Sequence, residues 1–248
     1  MNILPCTLAA ALLCSAMTMA AQSLPPGTAL PVEIGSSLNA RNAKPGQKIE
    51  GKLMQELQLP SGDAIKKGAH VVGQVVSVQR PSRVTVKFTQ LEDGHQTIPL
   101  SVSLRAVAAS ESVFNAGVPI DANSTYDPSN EYTTRQIGGD VVFRGRGYVA
   151  SDQGKVGRWN GTGVWGMLAP GGDCPASEDN RMEQALWIFS TTACGVYGIE
   201  GASIAHAGRT PPVGQITLQS DKDLLVRGGS GWLLLVNSNG ASAAGASQ

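Results

Sequence analysis

Val71-Val72-Gly73-Gln74-Val75-Val76-Ser77-Val78, then Arg80-Pro81-Ser82, then Val84-Thr85-Val86-Lys87-Phe88-Thr89-Gln90-Leu91 is the stretch whose reading decides the fold. Both runs are dominated by β-branched residues, which are stiff at χ1 and suit a pleated strand. The interruption at Arg80-Pro81-Ser82 is short and carries a turn residue, so the two runs are expected to be neighbouring antiparallel strands. Glu92-Asp93-Gly94-His95 adds an Asp-Gly hairpin signal. Ile98-Pro99-Leu100-Ser101-Val102-Ser103-Leu104 then returns as the next strand.

The same grammar extends upstream. Leu30, Val32 and Ile34 fall on one face of Thr28–Ile34, a half-buried strand. Ala43-Lys44-Pro45-Gly46-Gln47 is a turn, after which Ile49, Gly51 and Leu53 point inward, with a bulge or bend before Leu57 and Leu59. Pro60-Ser61-Gly62-Asp63 and Lys66-Lys67-Gly68 turn the chain twice more. Strands this closely spaced, with no helical stretch between them, predict a small β-barrel or sandwich, and closure would protect the sheet edges. Composition agrees, since 30 glycines, 5% aromatics and 15% charged residues describe a turn-rich β protein.

Downstream, residues 109–136 break the pattern and read as a polar linker or loop. A β-rich second half, residues 137–237, begins at Asp140-Val141-Val142-Phe143-Arg144. Ser177 is a good N-cap for one helical turn through Glu178-Asp179. Leu186-Trp187-Ile188-Phe189 reads as a buried strand or the end of that helix, and the Cys194-Gly195 turn favours the strand. Later strands are Ser203–His206, Gly214–Gln219, Leu224–Arg227 and Trp232–Val236, with hairpin turns expected at Ser220–Asp223 and Gly228–Gly231. Trp232-Leu233-Leu234-Leu235-Val236 has almost no polar face, so it must be covered on both sides. It either closes the sheet of residues 22–108, which makes 109–200 an insertion, or pairs within the second half. Residues 238–248 are small and polar and are expected to be disordered.

Compartment comes from the N-terminus. Residues 8–21 form an uncharged apolar run ending in small residues, followed by Gln22-Ser23-Leu24-Pro25-Pro26-Gly27. That layout predicts a signal peptide over residues 1–21, with a mature chain that works in the periplasm or outside the cell and holds no transmembrane segment. Cys6 and Cys14 leave with the signal, and the remaining pair, Cys174 and Cys194, is expected to form a disulfide in an oxidising compartment. Lys+Arg and Asp+Glu are both 19, which offers no nucleic-acid-binding surface. Residues 22–108 carry ten basic side chains against six acidic ones, and the remainder nine against thirteen, so the halves are placed to attract each other.

Three segments carry a family resemblance: Leu24-Pro25-Pro26-Gly27-Thr28-Ala29-Leu30-Pro31-Val32, Ile65-Lys66-Lys67-Gly68-Ala69-His70-Val71-Val72-Gly73, and Arg83 through Leu100 with its Glu92-Asp93-Gly94 turn. In order and in turn glycines, residues 24–107 resemble the C-terminal β-barrel domain of the conjugation-type scaffold subunit of type IV secretion systems. The resemblance implies a β-barrel, a cell-envelope location and an interaction role. The family's membrane helix, proline-rich stretch and apolar helical hairpin have no counterpart in this sequence. The chain is therefore read as a stand-alone exported relative of the barrel.

Motifs for chemistry are weak. Gly161-Thr162-Gly163-Val164-Trp165-Gly166 matches GxGxxG but leads to Pro170-Gly171-Gly172, not into the helix that a dinucleotide site needs. Asp121, Asn123, Thr125 and Asp127 space oxygens like the start of a calcium loop, yet Tyr126 stands where Gly is required and Glu131 falls one place short. His70, His95 and His206 are dispersed, and Ser230 sits in a Gly-Gly-Ser-Gly turn without a nucleophile elbow. Asn123-Ser124-Thr125 and Asn160-Gly161-Thr162 are glycosylation sequons by pattern only. No catalytic residue, cofactor or metal site is assigned. The sequence reads as an exported envelope binding or structural module whose partner is an envelope protein or a glycan. The rival is an extracellular hydrolase or glycan-binding protein with a site between the halves. Exposed Trp159, Trp165 and Trp232 would favour the glycan, and buried ones the structural reading.

Overall fold

The computed structural model describes residues 23–94, 96–117, 132–139, 141–145, 147–151, 154–160, 163–174, 181–205 and 214–238. The expected signal peptide, the calcium-like loop with its sequon, His95, His206, the turn after Ser177 and nearly all of the C-terminal tail lie outside these residues.

The first half is all strand: β1 (Ala29–Ile34), β2 (Leu38–Asn39), β3 (Lys48–Leu53), β4 (Leu57–Gln58), β5 (Ala64–Ile65), β6 (His70–Gln79), β7 (Arg83–Asp93), β8 (Gln96–Pro99) and β9 (Val102–Ala108). β6 and β7 pair antiparallel from His70↔Glu92 to Gln79↔Arg83, with the Arg80-Pro81-Ser82 turn between them. In β3 the alternation places Ile49, Gly51 and Leu53 inside and Lys48, Glu50 and Lys52 outside. Gly62 (φ 90°) and Gly94 (φ 62°) turn the chain in the left-handed region that glycine adopts without a Cβ penalty.

The stretch expected to be loop instead opens with α1 (Ser110–Gly117). Glu111 lies in its first turn, where the helix dipole favours an anion. Ala116 is buried, and Val113 packs beside it at the i, i+3 spacing that shares one helix face. An antiparallel meander of six strands follows: β10 (Tyr132–Arg135), β11 (Val141–Gly145), β12 (Tyr148–Ser151), β13 (Gly154–Trp159), β14 (Val164–Gly166) and β15 (Gln184–Ala185). Leu186–Phe189, expected to be a strand, is a turn. Trp187 has φ 53°, and the Phe189 N–H donates to the Leu186 carbonyl at 3.0 Å. The run is apolar because Leu186, Ile188 and Phe189 all enter one core, not because it pairs in a sheet.

The chain then returns to the first half through β16 (Gly195–Tyr197), β17 (Ala202–Ala205), β18 (Ile216–Ser220), β19 (Leu225–Val226) and β20 (Ser230–Val236). The turns at Ser220–Asp223 and Gly228–Gly231 exist, but neither makes a hairpin. β18 pairs with β7 and β17, β19 pairs with β2, and β20 lies between β1 and β9.

Ten strands thus form one sheet in the order β16-β9-β20-β1-β3-β6-β7-β18-β17, with β8 continuing along β7 beyond β18. The two end strands are consecutive in sequence, joined by Gly198-Ile199-Glu200-Gly201, so the sheet must roll back on itself. No ladder joins β16 to β17 among the described residues, which leaves a barrel-like sheet with a seam.

β20 explains its own composition. Trp232, Leu234 and Val236 enter the barrel core, where Phe88 meets Trp232 edge-on at 5.9 Å. Leu233 and Leu235 point outward with Ala29, Ala106 and Ala108, into a second core completed by Val164, Leu186, Ile188 and Phe189 of the meander region. A strand covered on both faces has no place for a polar residue.

Next to it, β9 changes phase. Leu233 pairs with Ala106 but Leu234 pairs with Leu104, so Arg105 is the extra residue of a bulge. Leu104 and Val107 both enter the barrel core across the bulge, and Arg105 between them does not. Instead Arg105 Nε–H donates to the Ala193 carbonyl at 2.8 Å, and its Nη2 donates to the Ala169 carbonyl. Burial pulls this guanidinium below its usual range, against an opposing effect of Tyr197. Close by, Cys174 and Cys194 are bonded, with their Cα atoms 5.8 Å apart.

Candidate functional site

A cleft that draws on both halves lies on the outer face of β1, β3 and β6. Glu33, Glu50, Lys52 and His70 occupy outward positions of paired strands, so alternation alone brings their side chains to the surface. Register then lines them up: Glu33 is opposite Lys52, Lys52 opposite His70, and His70 opposite Glu92. Charges of opposite sign directly across a ladder are each worth roughly 0.2–1 kcal/mol. Lys48 and Glu50 form an exposed ion pair beside this row. Glu50 is held below the usual carboxylate range chiefly by the hydrogen bond from Lys48, which outweighs the opposing effect of burial, and the charges of Lys48 and His70 add smaller help.

Lys67-Gly68 of the β5–β6 turn and Trp187 supply the walls, and exposed Gly35 adds no side chain to fill the space. The cavity measures about 420 Å³, within the range of about 300–1,000 Å³ usual for small-molecule sites. Lys67 Nζ lies 4.5 Å from the centre of the Trp187 ring, a cation–π contact. Trp159 approaches the same ring at 6.5 Å with a 37° tilt.

Trp187 is held with care. A left-handed backbone costs a bulky residue about 1–2 kcal/mol. Its amide donates to Gln55 Oε1 at 2.7 Å, and Gln55 is fully buried. Gly163 makes room for Gln55, since a Cβ there would stand 2.0 Å from Oε1. Gln55 Nε2 is left without a partner, so this buried amide serves the Trp187 turn at a cost.

A second cleft, of about 280 Å³, lies between Leu57, Leu59 and Pro60 on one side and Trp165, Met182 and Gln184 on the other. Arg158 sits over the Trp165 ring at 5.0 Å and pairs with Glu183.

Of the residues singled out in the sequence, Cys174 and Cys194 meet as expected. His70 reaches the cleft. Among the described residues no group of His, Cys, Asp or Glu gathers as metal ligands. Ser230 is not a surface turn residue but the buried start of β20, where its Oγ accepts from Trp232 Nε1 at 3.0 Å. Val164–Gly166 of the GxGxxG match is strand β14, not the opening of a helix. Trp232 and Trp165 are buried, and Trp159 is half-buried. Asn160 is exposed, while the rest of its sequon lies outside the described residues. Sequence reasoning missed Trp187, Gln55 and Lys67. The alternation did place Glu33 and Glu50 outside, but only the ladder register gathers them.

No family model matches the chain, and no curated protein matches it either.

Proposed function

We propose that the protein is an exported module of the cell envelope that binds its partner in the cleft between the rolled sheet and the meander. The observation that carries this reading is Trp187, an aromatic side chain fixed in a left-handed turn by a buried glutamine and facing a row of charged side chains from the other half. Strained backbone persists where its surroundings over-determine it, and such places cluster at ligand clamps. The groups in the cleft differ in kind: carboxylates, ammonium groups, an imidazole and an indole. That variety suits recognition of a ligand better than a single proton-transfer step.

The setting is supported by the Cys174–Cys194 bridge, which persists in oxidising compartments, and by the apolar N-terminal run with its small-residue boundary. No helix among the described residues is long and apolar enough to cross a membrane. The resemblance of residues 24–107 to the secretion-scaffold barrel supports an interaction role in the envelope. Two of the three named tryptophans are buried, which favours the module over a glycan-processing enzyme with an extended aromatic surface.

Fractionation of cells that express the full chain tests the reading. The expected result is a chain starting at Ala21, Gln22 or Ser23 outside the cytoplasm, co-sedimenting with isolated envelope, and a loss of that co-sedimentation in Trp187→Asn. An intact Met1 with reduced cysteines in the cytosol would overturn export. Unchanged co-sedimentation of the variant would overturn the cleft.

A further inference from the structure

We infer that the cleft beside Trp187 takes a neutral saccharide of one or two rings, stacked through its C–H face on the indole. The inference rests on the reading of this cleft as the binding surface and assigns its ligand class.

The plate comes first. Lys67 Nζ, 4.5 Å from the ring centre, marks a face of Trp187 that is reached from the cleft and that attracts positive charge. The C–H hydrogens on one face of a pyranose carry partial positive charge and meet the negative face of an indole in the same way. Lys67 is exposed and flexible, so it swings off the plate when a ring stacks there.

The rim comes next. Glu33 and Glu50 only accept hydrogen bonds, and Lys52 and Lys67 only donate. A hydroxyl donates and accepts, so a polyhydroxyl ring satisfies groups of both kinds. A ligand of one charge gains from half of this rim and is repelled by the other half. Glu50 is already paired with Lys48, which lessens the cleft's attraction for a free cation.

Size is the third argument. A cavity of about 420 Å³ with no side chain at Gly35 admits a compact ring against the sheet, and is too small for a folded partner to enter.

The experiment is calorimetry and tryptophan-fluorescence titration of the full mature chain with cellobiose, maltose and N,N′-diacetylchitobiose, with a lysine-rich and an acidic peptide alongside. The expected result is saturable binding of at least one neutral disaccharide. Trp187→Asn should weaken it at least tenfold with unchanged circular dichroism, because asparagine tolerates the left-handed backbone. Lys67→Ala, which removes one rim donor and leaves the indole in place, should weaken it less than Trp187→Asn does. No binding by any of the three sugars to the folded chain overturns the saccharide assignment, as does a larger loss in Lys67→Ala than in Trp187→Asn, which would mean an anion read by lysine. If sugars fail while Trp187→Asn still abolishes envelope co-sedimentation, the ligand class falls and the binding module stands. If that variant changes neither, both fall.

Discussion

Val32 and Trp232 are Cα partners across the β1–β20 ladder, one near the start of the described chain and the other near its end. On the other side of β20 the same Trp232 pairs with Val107. The indole is fully buried and meets Phe88, so it joins three strands of the first half to a segment made last. Trp232→Ala should cost about 3–5 kcal/mol, the usual penalty for emptying a large aromatic site. Denaturant unfolding checks this, and a shift below 1 kcal/mol would show that the core collapses around the gap.

The same ladders decide what residues 22–108 do alone. Among the described residues β9 pairs only with β20 and β16, so in that fragment it has no strand partner, and Ala106 and Ala108 lose the second-half residues that cover them. Expressed by itself, the fragment should aggregate. Adding back residues 195–238 should rescue solubility. A soluble fragment with a cooperative unfolding transition would show that β1, β3, β6 and β7 suffice.

Strands and turns were legible where local chemistry governs them. Valine-rich β6 and β7 and the glycine turns at Gly62 and Gly94 follow from residue type alone. Partners were not legible, because two-residue β19 reaches back to β2 rather than to its neighbour. α1 was hidden by its shortness, with Ala116 its one buried residue. Leu186–Phe189 looked like a strand because burial and β pairing leave the same apolar signature. The site was legible only as outward charges. Trp187 gave no signal, since its strained φ depends on Gln55, far away in sequence.

Reduction tests the bridge. Cys174 and Cys194 are 20 residues apart, and closing such a loop is worth about 3 kcal/mol. The double Cys→Ser variant should lose about 2–4 kcal/mol, chiefly through a freer unfolded chain. Non-reducing peptide mapping must find the 174–194 link, and two free thiols would remove the expectation.

The Lys48–Glu50 pair has a signed pH dependence. Glu50 is lowered, first by its hydrogen bond from Lys48, so its contribution is present above the ordinary carboxylate range and lost as pH falls through its folded value. Lys48 is raised by the same bond, so its contribution is present below the ordinary ammonium range and lost as pH rises through its folded value. Around neutrality the pair should add no slope. Carboxyl-carbon NMR titration should give Glu50 a low midpoint that moves up in Lys48→Met, and an unmoved midpoint would deny the pairing.

Arg105 offers the sharpest structural test. Its bulge places one guanidinium between two carbonyls, Ala193 inside the disulfide loop and Ala169 just before it. Arg105→Leu fills much of the volume but orphans both acceptors, at about 1–3 kcal/mol for each buried group, so a loss of about 2–6 kcal/mol is expected. Arg105→Lys should recover only part of it, because a single ammonium cannot reproduce the planar fork. The bridge and the arginine both fix the segment around Ala193 and Cys194, so their effects should couple. In a double-mutant cycle with the Cys→Ser pair, the combined loss should fall short of the sum by 0.5 kcal/mol or more, the range of about 0.5–3 kcal/mol seen for residues that share a segment. Strict additivity would mean that the loop is held by the disulfide and that Arg105 serves only its own carbonyl partners.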